Sequence, residues 1–200
     1  MASGLFSIVA VVGVAFASYQ ERLSPSVASG LLWVILLFSS IVALSRSFVA
    51  EEEAGTAILL RLVARSHAVF WGKALFNLIQ MFITAAVLSI LLFGLTTQTV
   101  SHYPLYTLGL LGGCASLAGA VTLCGALAAQ ASNRSALVGA IGIPLLLPLI
   151  AMGIGATRYC LGGVGVGIAS RAVSSAIGLS VYAFAIFAVG PWLFDVVWKE

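Results

Sequence analysis

The sequence predicts an all-α integral membrane protein with six transmembrane helices and both termini in the cytoplasm. Three observations carry this. Apolar residues make up 62% of the 200 residues and charged residues only 8%, against about 25% charge in soluble domains. Nine basic and six acidic residues cannot clothe a soluble fold of this size, so lipid must be the solvent for most of the surface. The apolar residues also fall into six runs separated by one substantial hydrophilic loop, which leaves a single transmembrane domain over 1–200.

The runs are Gly4–Tyr19, Val27–Ser45, Ala74–Leu95, Leu105–Ala129, Ala136–Ala156 and Ala172–Val197. A helix needs roughly 17–25 residues to cross the hydrocarbon layer, so the first is short. It also has the length of a signal peptide, with Ala15-Phe16-Ala17 resembling a cleavage site. The basic segment that precedes a signal peptide is missing, and the run is read as a span. Gly112-Gly113, Pro144 and Pro148 fall inside spans, where neighbouring helices can re-satisfy freed backbone groups.

Charge sets the orientation. With the amino terminus inside, Arg46, Arg61, Arg65, Lys73, Arg134 and Lys199 are cytoplasmic, while Arg22, Arg158 and Arg171 are outside. This asymmetry obeys the positive-inside rule, and most of it comes from the loop 46–73. The net charge of +3 is then spent on orientation and gives no reason to expect a nucleic-acid partner. Cys114 and Cys124 share one span, about 15 Å apart along its axis, too far for a disulfide.

Several chemistries lack their residues. Gly72-Lys73-Ala74 has neither the upstream glycine nor the following hydroxyl of a phosphate-binding loop, so the chain is not expected to hydrolyse ATP. Ser116 lies among small residues, while His67 and His102 lie in or beside loops. Helix packing explains that serine better than proteolysis. Arg46 and Asp195 sit near helix ends, where they can snorkel or meet headgroups, and no mid-span charge offers an ion-coupling chain. His102 and Cys160 have no paired ligand spacing around them. The sequence therefore predicts neither an enzyme nor a directly bound cofactor or metal.

The loop is where a partner is expected. Glu51-Glu52-Glu53-Ala54-Gly55-Thr56 leads into Ala57-Ile58-Leu59-Leu60-Arg61-Leu62-Val63-Ala64-Arg65, acid first and base last. That order suits the dipole of a short helix, with Arg61 and Arg65 on one face at i, i+4 and apolar residues against the membrane surface or a partner groove.

The pattern Glu51-x-Glu53-x-Gly55-Thr56, an apolar helix and then Gly72-Lys73 resembles the cytoplasmic loop of ABC-2-type (type V) exporter permeases. Within that group the chain is most similar to the haem exporter protein B (CcmB) family. The likeness rests on Ser29-Gly30-Leu31-Leu32-Trp33-Val34, Leu37-Phe38-Ser39-Ser40, Leu44-Ser45-Arg46-Ser47-Phe48 and Pro144-Leu145-Leu146-Leu147-Pro148-Leu149-Ile150. It is strongest from Ser24 to Leu78 and weakest over the last span. The resemblance implies a permease of cytochrome c maturation in the bacterial inner membrane. Its coupling loop, with Glu51, Glu53, Gly55, Arg61 and Arg65, would dock a cytoplasmic ABC ATPase. It further implies a second copy of the chain, other membrane subunits of the maturation system, and haem as the ligand exported or released on its chaperone. A generic ABC-2 exporter of lipid or drug is the alternative. Two departures stand out. Family members usually carry an amphipathic segment before the first span, so a start at Gly4 is read as a truncation. They also tend to have an acidic residue and a proline where Ile58 and Ala64 stand here.

Overall fold

A computed structural model describes residues 8–13, 16, 23–47, 64–96, 98–129 and 134–198. All regular structure among them is helical. The five helices are α1 (Pro25–Ser47), α2 (Ser66–Leu95), α3 (Tyr103–Ala129), α4 (Arg134–Cys160) and α5 (Ile168–Trp198). Residues 8–13 are also helical, and Val11 is buried in the core beside Leu32, Ile35, Leu88 and Leu92. Phe16 is helical and exposed, and the rest of the first apolar run lies outside the described residues. Pro25–Val42, Ser66–Leu95, Tyr103–Leu127 and Ile168–Asp195 are long and apolar enough to cross a membrane; Pro144–Cys160 is apolar but shorter.

The helices run alternately up and down. Gln98 Nε2 donates to Leu23 O (2.6 Å) and the Ser101 amide to Cys160 O (2.8 Å), which gathers the start of α1, the end of α2, the start of α3 and the end of α4 at one end. Ser66 donates to Asp195 at the other. The loop 48–65 and the loop 96–102 therefore leave opposite ends of the bundle.

One boundary differs from the sequence expectation by two helical turns, while the end of α4 and the start of α5 differ by about one. α2 begins at Ser66 and not Ala74, so Ser66–Lys73 forms two helical turns where a loop was expected. Ser66, His67, Gly72 and Lys73 make that stretch look hydrophilic. Val69, Phe70 and Ala74 are nonetheless buried, and their packing decides the conformation over local polarity.

α3 is the central helix, packed most extensively on α5 and then on α4, α2 and α1. Lipid gives apolar side chains no reason to leave it, so helices in a bilayer associate by close packing and hydrogen bonds. The small residues of α3 permit both. Ser116 Oγ lies 2.7 Å from Leu179 O on α5 and 2.9 Å from Gly112 O on its own helix, the packing role its sequence context implied.

The tightest seam surrounds Trp33 of α1, whose side chain is 0% exposed. Its indole occupies a slot made by two glycines: a Cβ at Gly113 of α3 would lie 1.9 Å from Trp33 Cη2, and one at Gly153 of α4 2.3 Å from Cδ2. Trp33 Nε1 donates to Thr157 Oγ1 at 3.0 Å, and that hydroxyl donates to Gly153 O at 2.9 Å. Each polar atom of the seam is thus satisfied without water.

Pro144 and Pro148 lie inside α4. Each removes a ladder donor and frees the carbonyl four residues earlier. Tyr182 of α5 donates its hydroxyl to Leu145 O at 3.1 Å, next to the Pro144 carbonyl that Pro148 leaves without a partner in the ladder.

Candidate functional site

Of the loop residues singled out from sequence, Glu51, Glu53, Gly55 and Arg61 lie outside the described residues. Arg65 is exposed and immediately precedes α2, with extended backbone angles of φ −75° and ψ 141° and no side-chain cap to the helix. The short loop helix expected to carry Arg61 and Arg65 on one face therefore does not include Arg65. The reason is its neighbour: Ser66 opens α2, and the chain must turn before it.

What the loop runs into is well defined. The Ser66 hydroxyl donates to Asp195 Oδ1 of α5, a carboxylate expected from sequence to snorkel or meet headgroups. One turn on, Phe70 is fully buried against Phe194, with ring centroids 5.7 Å apart. Gly190 makes room for it, since a Cβ there would lie 2.6 Å from Phe70 Cζ. Trp71 stacks on Phe187 at 5.6 Å and 16°. Val69, Ala74 and Ala126 of α3 complete the cluster, and Ala64 packs against it from the loop side. The last residues of the loop are thus seated on a junction that binds the first turns of α2 to the last turns of α5.

A polar stripe continues inward along α2. Ser66, Lys73, Asn77, Gln80 and Thr84 recur at helical spacing; Ser66, Asn77 and Thr84 are buried, Lys73 and Gln80 partly so. Asn77 Nδ2 donates to Thr122 Oγ1 at 2.9 Å, and Thr122 donates to Ala118 O at 2.7 Å. Asn77 Oδ1 is buried and accepts no hydrogen bond from a described residue, an arrangement that costs about 1–3 kcal/mol. The α2–α3 contact is therefore less completely satisfied than the Trp33 seam.

Of the remaining candidates, His102, Cys160 and Ser116 have structural partners. His67 sits exposed in the first turn of α2. His102 stacks on Tyr159 at 4.7 Å, while the Cys160 thiol is buried and donates to Ala156 O at 3.3 Å. Ser116 has the carbonyl partners already described.

Residues 3–193 match the family described as CcmB protein. The chain belongs to the CcmB family. The match spans nearly the whole sequence, well beyond the Ser24–Leu78 stretch where the likeness is strongest. Membership makes the chain a membrane protein of haem transport in cytochrome c biogenesis, the permease component of an ABC-type haem exporter system. Neither a curated protein nor a solved structure gives a significant match.

Sequence reading singled out the loop but missed the junction into which its last residues run. Ser66, Phe70, Gly190, Phe194 and Asp195 are unremarkable singly and far apart in the chain. The recurrence of polar residues along one face of α2 was the available signal.

Proposed function

We propose that this CcmB family member is the non-enzymatic, membrane-spanning subunit through which a cytoplasmic ABC ATPase drives cytochrome c maturation in the bacterial inner membrane. The observation that carries the reading is the α2–α5 junction. The acidic-then-basic loop ends at Arg65, and the next residue is already hydrogen-bonded to Asp195. A force applied to the loop by a docked ATPase therefore reaches two long apolar helices within one turn.

Six spans in the type V arrangement, both termini in the cytoplasm, two copies of the chain and contact with other maturation subunits complete the reading. The tight Trp33 seam fits release of a haem-loaded chaperone, with this subunit transmitting motion and binding no haem itself, better than passage of haem through it.

Deletion of the protein is expected to abolish covalent haem attachment to c-type cytochromes while leaving b-type cytochromes and membrane lipids normal. Haem staining of membranes tests this in a strain with no second maturation system. Normal staining would overturn the proposal, and a lipid or drug phenotype in its place would favour a generic exporter. Orientation has its own test: a cysteine placed at Ser101 should react with an impermeant reagent from outside intact cells, and reaction only from the cytoplasmic side would invert the topology.

A further inference from the structure

We infer that the glycine-framed loop 161–167 is a seat for anionic phospholipid headgroups at the end of the bundle opposite the coupling loop. The loop is built to hold its shape. The Gly162 amide bonds Tyr159 O and the Gly163 amide bonds Arg158 O, both at 3.0 Å, closing the end of α4. Gly162 has φ +88°, in the left-handed region open to glycine, and a Cβ at Gly163 would lie 2.7 Å from Arg158 O. On the far side the Arg171 amide bonds Gly167 O at 3.1 Å. The Ser101–Cys160 backbone bond and the His102–Tyr159 stack brace the same corner from the α2–α3 connection.

A loop held this firmly presents Val164 at 89% and Val166 at 100% exposure. The fold gains nothing from either side chain where it stands. Exposed cations flank them: Arg158 and Arg171 stand at the two roots of the loop. No Asp or Glu occurs between Glu53 and Asp195, and Asp195, the only acidic residue among those described, is at the other end of the bundle; Glu21, which adjoins Arg22 in the sequence, lies outside the described residues. Tyr103, 68% exposed, and Tyr159 mark the level at which aromatic residues meet the interface. Apolar tips between two exposed arginines, beside exposed and half-buried tyrosines, match the layer where acyl chains give way to phosphate. The charge complement there is an anionic headgroup.

The test uses the full chain reconstituted in vesicles of phosphatidylcholine with and without phosphatidylglycerol. A nitroxide is attached at Val166→Cys, and the unsubstituted chain supplies the background of its three buried cysteines. The label should collide with oxygen in preference to a polar nickel complex in both vesicles. Phosphatidylglycerol should be enriched around the protein, and Arg158→Gln with Arg171→Gln should reduce that enrichment roughly fivefold per arginine while the label keeps its depth. A label that prefers the nickel complex, or enrichment unchanged by the double substitution, would overturn the proposal. So would a label that becomes shielded only when other subunits of the complex are added, which would make the loop a protein-docking site.

Discussion

The Trp33 slot and the Phe70 junction are both built from an aromatic ring pressed on a glycine, yet they differ in what surrounds the ring. Trp33 is enclosed by α3 and α4, its one donor is satisfied, and among the described residues no charged side chain or loop end takes part. Phe70 lies at a bundle end beside a carboxylate, with Ala64 of the long loop packed on its cluster and exposed Trp71 and Trp192 nearby in sequence on the two helices it joins. One is a fixed seam that registers three helices. The other is a joint with something attached to it. Neutral, satisfied groups make a permanent seam, whereas the junction proposed to answer to a partner stands where the loop enters the bundle.

The largest expected effect is at the fixed seam. Trp33→Ala empties the slot between Gly113 and Gly153 and should cost about 3–5 kcal/mol, the range for large aromatic truncations, read as loss of folded protein in detergent melting. Thr157→Val keeps the shape but removes the acceptor of Trp33 Nε1, with an expected cost of about 1–3 kcal/mol. A Thr157→Val protein as stable as the parent would mean that the indole N–H finds another acceptor and that the seam is looser than the structure shows.

At the joint, stability and function should separate. Asp195→Ala breaks the contact with Ser66 and leaves its hydroxyl to find another acceptor, with an expected cost of about 1–2 kcal/mol. Its effect on haem attachment should exceed that of Thr157→Val at equal loss of stability. Equal losses of attachment would erase the distinction between seam and joint. Smallest of all is Arg65→Ala: the residue is exposed and caps nothing, so stability should move by no more than ~0.5 kcal/mol.

The parts legible in the sequence were those written in contiguous residues. Long apolar runs gave α1 to α5 within a few residues at most ends, and Ser116 among small neighbours announced close packing. The start of α2 was hidden because His67, Gly72 and Lys73 advertise a loop, while the partners that hold Phe70 in a helix, Gly190 and Phe194, lie at the far end of the chain. Asp195 was legible as a residue near a helix end but not as the acceptor for Ser66, since nothing local links the two. Trp33 stood out as part of a family-like stretch, but its slot needed two glycines from different helices to be seen together.

The most direct measurement is haem staining of c-type cytochromes in a strain whose only copy of this protein carries Arg61→Glu with Arg65→Glu, together with recovery of the ATPase on purification. With the protein present at its normal amount, staining should be lost, the ATPase should no longer co-purify, and the haem-loaded chaperone should accumulate. Full staining with the ATPase still bound would contradict the claim that the loop ending at Arg65 is where the motor acts.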